Sequence, residues 1–131
     1  MQVVSPIDIE DALRLDLAAL DSGHRFFAPP IPPDLKAGDV LITRVGGARV
    51  SGASHDHDVS IDCYANDDAA AVAMADRIHA LVASLPLRDT LTQYSASNAN
   101  LPYQNHDPRA EQLARQTFRA TLTCPGTRIN F

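Results

Sequence analysis

Tryptophan is missing from the chain and cysteine nearly so: Cys63 and Cys124 stand far apart, neither in a CxxC pair. Zinc-ribbon and thioredoxin-like readings therefore have no support, and both residues are expected to be buried thiols rather than a disulfide. Long apolar runs are also lacking. Nothing approaches the roughly 20 apolar residues of a membrane span. The N-terminal MQVVSPIDIEDALRL has no basic segment followed by an apolar one, so the protein is expected to be made and kept in a cytoplasm. Positive charge is scarce: 11 Lys and Arg against 16 Asp and Glu leave a net charge of −5. The basic residues are scattered, which argues against a domain that grips nucleic acid. GxSxG, Walker A, HExxH and GxGxxG are absent, which removes the commonest hydrolase, nucleotide and zincin signatures.

What is present has the balance of a globular domain, 45% hydrophobic and 21% charged residues over 131 positions. That is enough chain for one core, and residues 1–131 are read as one domain. Ser5 as cap, Pro6 at the first helical position and the acidic Asp8, Glu10 and Asp11 announce a helix. Ile9, Leu13, Leu17 and Leu20 form its apolar stripe, with Arg14 and Asp16 off it, and Asp21-Ser22-Gly23 ends it. FFAPPIPPDLKAG, residues 26–38, holds four prolines and reads as an extended connector. DVLITRVGGARVSG reads as a strand, a tight Gly46-Gly47 turn and a short return strand.

From Asp58 the alternation is strict, with Val59, Ile61, Cys63 and Ala65 facing one way and Asp58, Ser60, Asp62 and Tyr64 the other. This is the pattern of a half-buried strand. Asn66, Asp67 and Asp68 then cap a second helix, whose stripe of Ala71, Met74, Ala75, Ile78, Leu81, Val82 and Leu85 runs until Pro86. Leu91 to Tyr94 is expected as a short strand, residues 95–112 as a long polar loop, and residues 125–131 as a tail. Between loop and tail, Phe118, Ala120, Leu122 and Cys124 alternate with Thr117, Arg119, Thr121 and Thr123 in a closing strand. The expected fold is α+β: a mainly antiparallel sheet of about four strands, two amphipathic helices packed on one face, and a polar face left over.

SHDHDVSIDCYA, residues 54–65, carries the densest chemistry. Period-two alternation puts His55 and His57 on the face of Val59, and Asp56, Asp58 and Asp62 on the opposite one. Two imidazoles supply two ligands, whereas catalytic zinc usually takes three protein ligands and an open position. His24, His79 and His106 fall in a loop, a helix and another loop, with nothing to bring them to the pair. No metal, cofactor or catalytic group is therefore assigned, and a small metal-dependent enzyme using His55 and His57 is kept as an alternative. A Cys63 and His79 dyad meets the objection that Cys63 has the apolar parity of its strand, where an inert thiol is expected. Asp67 and Asp68 are better read as helix-start charges than as an acid/base pair. Residue physics alone gives a non-catalytic α+β domain with one spare polar face.

Residues 40–86, VLITRVGGARVSGASHDHDVSIDCYANDDAAAVAMADRIHALVASLP, resemble the tail terminator (tail completion) proteins of long-tailed bacteriophages. The matching segments are the Arg-x-Gly-Gly run of Arg44, Gly46 and Gly47, the acidic alternating strand Asp58 to Ala65, and the Ala-rich helix from Asp67 to Leu85. Leu101-Pro102-Tyr103, Asp107-Pro108 and the closing ARQTFRATLTC continue the likeness. The resemblance implies a non-enzymatic virion protein at the head-proximal end of the tail, assembled in the host cytoplasm. Its subunits would form a homo-oligomeric ring, most often a hexamer, that caps the tail tube and ends its growth. Its partners would be the major tail tube protein and the head-tail connector, with genomic DNA passing through without sequence-specific binding and no membrane contact. Expected interface residues are Arg44, Gly46, Gly47 and Arg49, Asp62 and Arg119 on the polar strand faces, and the loop around Tyr103 and Asp107. A head-completion or connector subunit on the portal side is the second phage reading.

Overall fold

The computed structural model describes residues 1–131. Its elements run β1 (Gln2–Ser5), α1 (Ile9–Leu20), β2 (Arg25–Phe27), β3 (Asp39–Arg49), β4 (Ser54–Ala65), α2 (Asp68–Ala83), β5 (Ala96–Ala99), β6 (Tyr103–Gln104), β7 (Ala114–Pro125) and β8 (Thr127–Asn130). The start of α1 is set by Asp8, whose carboxylate accepts the Asp11 N–H at 3.3 Å. Ser5 is not the cap, because it ends β1 and pairs with Thr127. Asp67 caps α2 as expected, accepting the Ala70 N–H at 2.8 Å. The apolar stripes of both helices are buried, Ile9, Leu13 and Leu17 on α1 and Ala71, Met74, Ala75, Ile78 and Val82 on α2. Asp16 is buried with the α1 stripe, against expectation. It sits there because its carboxylate takes the backbone N–H groups of Leu91 and Thr92 and the Tyr94 hydroxyl.

The α+β class holds, but the sheet is mixed and larger than four strands. Six strands form it in the order β2-β3-β4-β7-β5, with β6 also on β7; β2 runs parallel to β3 and every other pair is antiparallel. The additional strands come from the connector and the long loop. Residues 91–94 are not a strand, since Asp16 satisfies part of their backbone; β5 lies just beyond them. The tail is β8, which pairs with β1 in a separate two-stranded clasp of the two termini.

Gly46 and Gly47 are not a hairpin turn. They lie inside β3, opposite Asp58 and His57, just past an irregularity in register at Val45. The reversal comes at residues 50–53, where the Ser51 hydroxyl accepts the N–H groups of Ala53 and Ser54. Glycine is required at 47 because a β-carbon there would collide with the Asp56 carbonyl oxygen.

The helices cover one face of the sheet over a core that includes Val40, Ile42, Val59, Ile61, Phe118 and Leu122. The far face is only partly open. Near the C-terminal end of β4, Leu41 and Tyr64 pack with Ala110 and Leu113, and Phe27, Ile31, Leu35 and Ala37 lie against them. The proline-rich connector is thus a lid over a second, smaller core.

Candidate functional site

Three places carry the side chains singled out above. The first is a cavity of about 290 Å³ at the hairpin end of β3 and β4, lined by Pro6, Arg44, Gly46, Gly47, Ala48, Arg49, His55, Asp56 and His57. Strand alternation puts His55 and His57 on the Val59 face as expected, and both are buried, with ring centroids 6.2 Å apart. Arg44 gives its backbone N–H to Glu10 at 2.8 Å, and Arg49 gives a guanidinium N–H to the Val4 carbonyl at 3.0 Å. The terminal clasp closes over His55: a β-carbon at Gly126 would strike the Ser5 carbonyl, the Val4 side chain and the His55 ring. Burial, then the neighbouring His55 and Arg44, push the His57 imidazole below its usual value.

The second place is internal. Asp107 accepts the Tyr64 hydroxyl at 2.8 Å, the Arg109 backbone N–H at 2.9 Å and the Arg109 side chain at 3.1 Å, with Arg115 at 3.3 Å. Burial alone would raise its pKa, but Arg109, Tyr64 and Arg115 together hold it down to about 2. Burial, with the Asp107 hydrogen bond, pushes the Tyr64 phenol up to about 12. Asp62 is also inside, accepting the Thr117 hydroxyl at 2.6 Å, and burial raises its carboxyl. Asp62 and Asp107 were expected at an interface; in this fold they are interior, at 8% and 1% exposure.

The third place is the open half of the far face. Cross-strand register sets Asp56 opposite Thr123, Asp58 opposite Thr121 and Ser60 opposite Arg119. The Thr123 hydroxyl donates to Asp56 at 2.5 Å and the Thr121 hydroxyl to Asp58 at 2.7 Å, so both carboxylates are fixed in a rigid row. Arg119 projects beside them, its backbone N–H held by the Asn100 side chain at 2.7 Å. A surface cleft here is lined by Val45, Asp58, Asn98, Asn100, Arg119 and Thr121 among others. Tyr103, 45% exposed on β6, pairs with Thr117 of the same β7.

The eight expected positions thus divide: Arg44, Gly46, Gly47 and Arg49 meet at the cavity, Asp62 and Asp107 in the interior, and Arg119 and Tyr103 on the open face. Cys63 and Cys124 are both buried and free. Burial raises the Cys63 thiol to about 12, far from a reactive thiolate, and the His79 ring packs edge-on against Phe118. No group of three His, Cys, Asp or Glu side chains has metal-ligand geometry. No helix is long and apolar enough to cross a membrane.

The roles of Arg109 and Arg115 are not legible in the sequence, because their carboxylate, Asp107, lies in a segment that reads as a long polar loop. The only signal was the apolar Ala110 and Leu113 beside them, which mark a segment folded back onto the sheet. No protein-family model matches the chain, and no curated protein matches it either.

Proposed function

We propose that this chain is a non-enzymatic assembly subunit of tail terminator type, one protomer of a closed ring that caps the tail tube and offers a surface to the head connector. The observation that carries this reading is the open half of the sheet, where Asp56, Asp58, Arg119, Thr121 and Thr123 stand on long strands with no helix over them. Strand-borne side chains already locked by hydrogen bonds lose little freedom on docking, which favours a specific contact. Val45 and Tyr103, both exposed, give that polar surface apolar anchors. A ring needs a head-to-tail interface that closes on itself, and one of standard size buries on the order of 800 Å² per partner. The acidic net charge suits a channel that DNA crosses, since basic walls would hold phosphate.

The test is electron microscopy of particles produced without the protein. Full heads beside unattached tails of abnormal length are expected. Normal tails with empty or leaking heads would assign the protein to the head side, and intact infectious particles would overturn both assignments.

A further inference from the structure

The cavity between β3 and β4 gathers Arg44, Arg49, His55 and His57 in a chain whose net charge is −5. Two neighbouring guanidinium groups without a carboxylate are a local feature, since most other arginines of the protein pair with carboxylates, as Arg14, Arg25, Arg77, Arg109 and Arg115 do. Arg44 and Arg49 form no ion pair; Arg49 donates one N–H to a carbonyl, and the Arg44 guanidinium has no partner in the chain. Both ring nitrogens of His55 and Nε2 of His57 also lack a partner, although the two residues are only 5% and 3% exposed. Buried polar atoms are almost always satisfied, so orphaned imidazole nitrogens sealed beneath a cavity wall need an explanation.

The nearby carboxylates do not supply one. Asp56 and Asp58 are bound to Thr123 and Thr121 on the opposite face, and Glu10 is bound to the Arg44 backbone. A cation fits poorly, because two guanidinium groups line the same space and no third ligand joins the histidines. An anion with several acceptor oxygens fits well: guanidinium forks are the donors that oxyanion sites use. Gly46 and Gly47 keep the β3 wall free of side chains.

We propose that this cavity binds a small oxyanion of the phosphate class, held by the Arg44 and Arg49 guanidinium groups over the buried imidazoles of His55 and His57. The site lies on the opposite side of β4 from the Asp56 and Asp58 carboxylates, apart from the open half of the sheet that carries the assembly reading.

The probe is inorganic phosphate, titrated into the ¹⁵N-labelled full-length chain and followed by NMR at the histidine ring and arginine Nε resonances. Saturable shifts are expected at Arg44, Arg49, His55 and His57. Arg44→Gln and Arg49→Gln, both at exposed positions, should each weaken binding by about tenfold, as loss of one charge-assisted hydrogen bond would. Arg119→Gln, on the other face, should leave it unchanged. Unmodified amide spectra away from the cavity check that each variant folds. Shifts that never saturate, equal weakening in Arg119→Gln, or full binding in both cavity variants would each overturn the proposal. So would Zn²⁺ saturating the two histidines where phosphate has no effect, which would make the site a cation site.

Discussion

Asp107 ties β4, β7 and the loop between β6 and β7 together through one buried carboxylate, shared by Tyr64, Arg109 and Arg115. Removing it leaves the Tyr64 hydroxyl without its acceptor and the largely buried Arg115 without its counter-ion. Asp107→Ala is therefore expected to cost about 2–4 kcal/mol, against about 1 kcal/mol for Tyr64→Phe, which deletes both the hydroxyl and the need for a partner. Denaturant unfolding checks this: the midpoint should fall with an unchanged slope. The pH dependence has two limbs. Asp107 titrates near 2 when folded and near 3.8 otherwise, so its contribution is complete above about 3.8 and is lost as pH falls toward 2. His57 is depressed below 6.5 when folded, so protons bind the unfolded chain more readily. Its contribution is complete above about 6.5 and declines as pH drops below that value; His57→Gln should flatten this limb in midpoints measured against pH. At this scale the sequence was legible where partners are local, as with the Asp67 cap. It was illegible for Asp16, whose partners lie 75 to 78 positions away, because period counting sees only the residue's own helix.

Among the elements, α1, α2, β4 and β7 were readable because each is long enough to repeat its period several times. β2, β5 and β6 were not, since strands of 2 to 4 residues show no period and exist because a longer neighbour offers them a ladder. The paired glycines misled for a physical reason. They announce a tight turn, but close backbone approach within a hairpin selects the same residue, and at Gly47 the Asp56 carbonyl provides it. Gly47→Val should lower stability by about 1–3 kcal/mol, since the side chain meets backbone and the residue sits at φ 150°. Hydrogen exchange should rise in β3 and β4 more than in α2. Faster exchange throughout the molecule would place the strain elsewhere.

At the scale of the whole molecule, the expected layering of two helices over one sheet face is present, and the expected bare polar face is bare over only half its length. The second core was hidden because its apolar residues, Phe27, Ile31, Leu35, Ala110 and Leu113, are spread singly through segments rich in proline and polar residues. Under the proposed assembly reading, the open half is the surface available for a subunit contact, and the division separates positions that build the fold from those free to touch a neighbour. Arg119→Glu should abolish ring formation while shifting unfolding by less than about 0.5 kcal/mol, the usual range for an exposed substitution. Loss of stability in step with loss of assembly would mark Arg119 as structural. Cryo-electron microscopy of tails carrying the protein tests the central claim most directly. A closed ring is expected at one end of the tube only, with the open half of the β4 and β7 face buried at each subunit boundary. Tails without the protein, or a ring in which that face meets only solvent, would contradict it.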